Sequence, residues 1–193
     1  LRESEARFRK MIKKSPLPMV ITSSNQNISY FNDKFTKLFG YTIEDVSTAE
    51  EWWNIAYPDE QYRRKIQRSW ENAIAIAVEK NKDIEMQVWE LTIKDGTQRT
   101  CEFYIVPLDG FSLIIMNDIT RRKEMEADRD RHLAAIEQIA EGVVITDTDG
   151  SIEFVNPAFE KITGYLSQEL IGKNPRILKS GKHDDAFYRQ LWE

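Results

Sequence analysis

One stretch of this chain occurs twice. The first copy runs Val20-Ile21-Thr22-Ser23-Ser24-Asn25-Gln26-Asn27-Ile28-Ser29-Tyr30-Phe31-Asn32 and closes at Phe39-Gly40-Tyr41. The second runs Val144-Ile145-Thr146-Asp147-Thr148-Asp149-Gly150-Ser151-Ile152-Glu153-Phe154-Val155-Asn156 and closes at Thr163-Gly164-Tyr165, in register with the first and without a gap. Self-similarity at a fixed offset of roughly a domain length means one structural module used twice. Both copies read alike. A β-branched apolar run is a short strand. Asp147-Thr148-Asp149-Gly150, or Asn25-Gln26 in the first copy, is turn chemistry. Ile152, Phe154 and Val155 return as the second strand of a hairpin. Asn32 and Asn156 stand where a helix begins, and Pro157 follows at the first helical position, where its missing N–H costs nothing. Phe35, Leu38 and Phe39 form a short apolar face, as do Ala158, Phe159 and Ile162, and Gly40 and Gly164 suit left-handed stops.

The first copy is embedded in a longer pattern. Residues 1–14 predict a helix with Phe8, Met11 and Ile12 on one side, stopped by Ser15-Pro16-Leu17-Pro18. Short helical turns are expected around Ile43, Val46, Trp52, Trp53 and Ile55. Residues 59–81 predict a long helix with Ile66, Trp70, Ala73, Ile74 and Ala77 on one face and Arg63, Arg64, Lys65 and Arg68 solvated. From Asp83 the period becomes two, with Ile84, Met86 and Val88 alternating, then Leu91 and Ile93. Lys94-Asp95-Gly96-Thr97 is a hairpin turn. Residues 99–107 place Cys101, Phe103 and Ile105 on one strand face and Glu102, Tyr104 and Val106 on the other. After Asp109-Gly110, residues 111–119 are almost unbroken apolar, which suits a central strand. The fold class is therefore α+β, an antiparallel sheet covered by helices.

The remainder repeats this plan without finishing it. Thr120 can cap a helix, and residues 121–139 read as one charged linker helix with sparse apolar positions at Met125, Leu133, Ile136 and then Ala140. That thin stripe is compatible with a two-helix seam and is too short to establish a coiled coil. The expected organisation is an N-terminal helix over 1–14, a complete module over 15–120, the linker helix over 121–139 and the first part of a second module over 140–193. A terminal helix is expected around Asp184 to Trp192, and no strands equivalent to residues 84–119 follow. Half a sheet leaves strand edges exposed.

The totals exclude several classes. A chain of 193 residues with 41% hydrophobic content and a net charge of −5 suits a globular protein of one to two domains. Mild acidity gives no footprint for nucleic acid. No apolar run approaches the roughly 20 residues that cross a bilayer, and no signal peptide opens the chain, so no membrane contact is expected. Cys101 is alone, which fits a reducing cytoplasm without a disulfide framework. The opening Leu1-Arg2-Glu3-Ser4 lacks an initiator Met, and a fragment of a longer protein is expected. No phosphate loop, metal-ligand spacing, nucleophile motif, phosphoacceptor region or cyclase signature is present, so neither catalytic nor metal-binding residues are assigned. Residues 1–120 contain no His, which excludes a His-ligated haem there. His132 reads as solvated in the linker, His183 as a loop or capping residue, and Cys101 as a small buried hydrophobe with no activating His nearby in sequence.

The duplicated hairpin and helix, Tyr57-Pro58-Asp59, Lys94-Asp95-Gly96 and Asp118-Ile119-Thr120-Arg121-Arg122-Lys123, taken in this order, resemble the PAS family. The last run is similar to the Asp-Ile-Thr-x-Arg-Lys signature at the exit of bacterial PAS domains, with Arg122 matching its Arg. The resemblance implies a five-stranded antiparallel sheet flanked by helices, and a cytoplasmic sensory region of a multidomain signalling protein, ahead of a histidine kinase or a cyclic-di-GMP enzyme. It also implies a homodimer and a possible small-molecule ligand. Pocket candidates are Phe35, Phe39, Ile66, Trp70, Met86, Val88, Cys101, Phe103 and Ile114, with Asn156 and Asn174 in the second module; Asp118 and Thr120 are the coupling candidates. Trp89 and Tyr104 read as core, and Trp52-Trp53 as a contact surface. Gly172-Lys173-Asn174-Pro175-Arg176-Ile177-Leu178 resembles the Gly-x-Asn-Cys-Arg-Phe-Leu signature of flavin photosensors, but Pro175 stands where the reactive Cys would be, so no thiol adduct forms. No cofactor is expected in this chain itself, while redox flavin binding stays open for a complete second module. The competing reading is a ligand-free dimerisation and relay module.

Overall fold

The computed structural model describes residues 2–23 and 25–179. The expected terminal helix and His183 lie outside that range. The chain forms two compact units, which part after Glu124.

The first unit begins with helix α1 (Arg2–Lys14), the hairpin β1 (Met19–Ser23) and β2 (Ile28–Phe31), and helix α2 (Asp33–Phe39). Helices α3 (Ala49–Ala56) and α4 (Glu60–Lys80) follow, then strands β3 (Gln87–Thr92), β4 (Gln98–Leu108) and β5 (Phe111–Asp118). The five strands make one sheet in the order β2-β1-β5-β4-β3, and every pairing is antiparallel. The last strand in sequence is thus central, as its unbroken apolar character predicts.

Local chemistry sets each helix boundary. Asn32 caps α2, Thr48 caps α3 in a reciprocal capping box with Glu51, and the Asp59 carboxylate accepts from the Tyr62 N–H at the start of α4. These caps satisfy N–H groups that have no partner inside the helix.

One face of the sheet carries the core. Val20, Phe31, Leu91, Cys101, Phe103 and Met116 pack against Phe35, Phe39, Val46, Tyr57, Ile66 and Trp70 from the helical side. Rings dominate: Phe31 and Phe35 stack at 4.1 Å between centroids, and Trp70 meets Phe103 edge-on at 6.3 Å. Three sequence expectations need correction. Tyr104, expected in the core, is 41% exposed, because strand alternation turns it to the face opposite Phe103. On α4 the buried positions are Ile66, Trp70 and Ala77, with Ala73 partly buried, whereas Ile74 is 42% exposed. A helix turns about 100° per residue, so a stripe through Ala73 leaves Ile74 on its flank. The third strand starts at Gln87 and points Gln87, Trp89 and Leu91 inward, leaving Val88 40% exposed and Met86, ahead of the strand, 39% exposed. Leu91 sits in the core, and strand alternation turns Val88 to the opposite face.

Helix α5 (Thr120–Gln138) leads into the second unit, which holds strands β6 (Val144–Thr146) and β7 (Ile152–Val155), helices α6 (Pro157–Thr163) and α7 (Ser167–Leu170), and a 3₁₀ turn over Pro175–Leu178. Its core is Ile152, Val155, Phe159 and Leu170, with Ile177 and Leu178 packed alongside. All three residues of β6 are exposed, although their counterparts in β1 are at least half-buried. The difference follows from pairing: β1 lies between β2 and β5, whereas β6 pairs among the described residues with β7 alone.

Gly40 closes α2 with φ +79°, and a Cβ placed there would meet the Cβ of Lys94 at 3.0 Å. Lys94 is held at that spot by its own N–H on the Phe39 carbonyl and by an ion pair with Asp45 at 2.7 Å. Gly40→Ala is therefore expected to destabilise the first unit by about 1–2 kcal/mol, from left-handed strain and the tight contact. A lowered urea midpoint with an unchanged slope checks this.

Candidate functional site

The sequence marks Asp118 and Thr120, and the structure places them where the sheet becomes a helix. Strands β4 and β5 pair Cys101 with Asp118 and Glu102 with Asn117. Beyond the ladder the Ile119 N–H donates to the Thr100 carbonyl at 2.9 Å, and Ile119 is buried. Asp118 then folds back. Its Oδ1 accepts both the N–H of Thr120, at 2.9 Å, and the Thr120 hydroxyl. That hydroxyl oxygen in turn accepts the N–H of Thr100 at 2.9 Å. The other carboxylate oxygen faces Arg99 at 3.7 Å. Thr120 is thus the first residue of α5, its N–H taken by Asp118, while its own hydroxyl stitches α5 to β4.

The opposite face of the sheet adds a second fastening. Glu102 is buried on β4 and accepts from the Asn117 amide at 2.9 Å, from Arg122 at 2.6 Å and from the Tyr104 hydroxyl at 3.4 Å. The Asn117 hydrogen bond, followed by the Arg122 pair, holds the Glu102 carboxyl below the usual glutamate range. Arg122 belongs to the first turn of α5, so that turn is tied to the sheet from both faces. Charge-assisted hydrogen bonds of this kind are about twice as strong as neutral ones. What this arrangement can do is pass a displacement of β4 or β5 into α5.

The pocket candidates divide. Phe35, Phe39, Ile66, Trp70, Cys101 and Phe103 lie in one buried cluster, and Ile114 packs against its margin. Met86 and Val88 are exposed away from that cluster. Burial, and secondarily Asp118, push the Cys101 thiol up to about 12, so it stays protonated near neutrality. Burial likewise raises the Tyr57 phenol above its ordinary value. In the second unit Asn156 is fully buried, whereas Asn174 is exposed and caps the 3₁₀ turn by accepting from the Arg176 N–H. Two open clefts lie on α4. One, of about 780 Å³, runs along its last turns past Ala77 to Ile84 and Glu85; the other, of about 490 Å³, is lined by Arg64, Lys65 and Arg68. None of the pocket candidates lines either one. Among the described residues no three His, Cys, Asp or Glu side chains are grouped to hold a metal, and no helix is long and apolar enough to cross a membrane.

Sequence reasoning passed over Glu102, Asn117 and Thr100. A signal existed for Glu102: it is the one acid among the outward positions Tyr104 and Val106, a place where a charge is costly without a partner.

Compared with known families, residues 16–121 match the family described as PAS domain and residues 131–193 the one described as PAS fold. The first match alone covers more than half of the chain, and the chain belongs to the PAS domain family, whose members are sensory modules. Among curated relatives, a nitrogen fixation regulatory protein of Klebsiella pneumoniae is 34% identical over 58 residues, 30% of this chain and 12% of that protein. A bacterioopsin transcriptional activator of Halobacterium salinarum is 31% identical over 71 residues, 35% of this chain and 10% of that protein. The chain thus spans only a small part of the curated relatives it matches. Among solved structures, an RNA-binding light-oxygen-voltage receptor aligns with a TM-score of 0.50 at 16% identity, over 67% of this chain and 37% of that one. The PAS domain of an HTR-like protein from Haloarcula marismortui aligns with a TM-score of 0.45 at 19% identity, over 62% of this chain and all of that one. At these identities the likeness concerns the fold alone.

The lowered Glu102 carboxyl gives the junction a pH dependence with a definite sign. A carboxylate whose folded value lies below its unfolded value of about 4.3 contributes stability above that value, and loses it as the pH falls through the folded one. Carbon-detected NMR titration is expected to show Glu102 ionising below the ordinary glutamate range, with the Arg122 ion pair opening as the carboxylate takes up its proton.

Proposed function

We propose that this chain is the sensory and signal-relay region of a cytoplasmic multidomain signalling protein. The packing of the first module's sheet sets the orientation of α5, and α5 passes that state to an output domain such as a histidine kinase or a cyclic-di-GMP enzyme. The observation that carries this reading is the double fastening of the first turn of α5, through Thr120 on one face of the sheet and Arg122 on the other. Both fastenings go to β4 or β5, so a shift of either strand reaches the helix without an intervening flexible segment. The relay works as a population shift between two packings, and a ligand, redox change or partner moves it only by its differential affinity for them.

The region acts as a homodimer through the outer face of the sheet. That reading is supported by the apolar row Val88, Tyr104, Val106 and Leu108, each between 40% and 43% exposed, on the face away from the helices. The ligand-free form of the relay is favoured by the close aromatic packing of Phe31, Phe35, Phe39 and Trp52 in the first module's core.

The test is Asp118→Ala in the full-length protein, with Thr120→Val as a near-isosteric second variant. Each removes hydrogen bonds at the junction and leaves the core untouched. The response of output activity to its input is expected to fall at least tenfold, while circular dichroism shows the first unit folded. An unchanged response in both folded variants refutes the relay.

A further inference from the structure

Asn32 and Asn156 are both 0% exposed and occupy the same place in the two modules. Each caps a helix, but capping uses only the side-chain oxygen, and Ser, Thr or Asp would do it as well. Here Oδ1 of Asn32 accepts from the Phe35 and Met19 N–H groups, both at 2.9 Å. Oδ1 of Asn156 accepts from Phe159 at 2.9 Å and Val143 at 2.8 Å. The amide nitrogens do something further. That of Asn32 donates to the carbonyls of Ile12 at 3.1 Å and Leu17 at 2.9 Å. That of Asn156 donates to Ile136 at 3.1 Å, Glu141 at 2.9 Å and Ile139 at 3.4 Å. The partners lie 20 and 15 residues upstream in both copies.

Those upstream carbonyls sit in the last turn of the incoming helix and just past it. Ile12 belongs to α1, and Ile136 belongs to α5. Terminal carbonyls of a helix have no partner inside it. Only a side-chain amide offers an acceptor and two donors at once. The asparagine therefore joins three things: the end of the incoming helix, the backbone at the head of the first strand, and the start of the next helix. In the second unit the incoming helix is α5, whose first turn is fastened to β4 and β5.

We propose that Asn156 is the positioning residue through which the second module receives α5, and that Asn32 does the same for α1 in the first. The last turn of the incoming helix and the seat of the next helix then open and close together. The inference rests on the relay reading for its purpose, and goes beyond it by naming the residue at the receiving end.

The test is hydrogen exchange on the whole chain with two perturbations, alone and combined. Ala134→Gly with Ala135→Gly weakens α5 at exposed positions without touching α6. Asn156→Ser keeps a cap oxygen for Phe159 but is too short to reach the three carbonyls. In the otherwise unchanged chain the glycines are expected to speed exchange of the Val143 and Phe159 amides about tenfold. In the Asn156→Ser background they are expected to leave those amides unchanged. A cap with no receiving role would give equal acceleration in both backgrounds, and that additivity overturns the proposal. If Asn156→Ser unfolds the second unit, the cycle of Asn32→Ser with Lys10→Gly, read at Met19 and Phe35, decides it by the same criterion. Additivity here leaves the Asp118 result standing, so the two ideas fail separately.

Discussion

The first unit depends on its last strand being its central one. Strand β5 has a hydrogen-bonded neighbour on each side, β1 along Phe111–Ile115 and β4 along its whole length. Its backbone groups are satisfied on both flanks, and its side chains serve both faces: Met116 is buried in the core while Leu113 and Ile115 face the other way. A strand held this way cannot shift without its neighbours. Because the chain leaves the sheet from β5, α5 starts one residue beyond the most constrained strand of the unit. The junction around Asp118 and Thr120 adds side-chain bonds to a coupling that the topology already provides.

Much of this was legible in the residues. The duplicated segment announced both hairpins, Asn and Pro marked the helix starts, and the apolar run of residues 111–119 marked the central strand. What could not be read was which of two phases would win ahead of the Lys94 turn. Ile84, Met86 and Val88 fall on even positions, Leu91 and Ile93 on odd ones, and alternation alone cannot serve both. The odd phase won because Leu91 and Ile93 are buried while Trp89 packs at the cluster margin. The donor side of Asn32 and Asn156 was equally hidden. A cap is a local pattern, whereas the carbonyls that the amides reach lie far upstream in sequence. Glu102 was visible as an isolated acid on an apolar face, but its partners Asn117 and Arg122 become neighbours only through the β4–β5 register.

The same packing bears on how such a region can sense. The core of the first unit is built from rings packed on one another, with Trp52 touching Phe35, Phe39 and Tyr41. Close-packed interiors transmit strain and do not absorb it. A displacement on the helical side of this core therefore bears on β5, whose Met116 is part of the same cluster. The second unit repeats the buried capping asparagine of the first and has, among the described residues, two strands.

The central claim, that the first turn of α5 is mechanically part of the sheet, has a direct test in native-state hydrogen exchange. The relevant amides are those of Thr100, Thr120 and Lys123, whose acceptors are the Thr120 hydroxyl, Asp118 and the Ile119 carbonyl. If helix and sheet are one unit, these three exchange with the same opening free energy as the β4–β5 ladder. Exchange of Thr120 and Lys123 orders of magnitude faster than that ladder, as at a fraying helix end, would contradict the account.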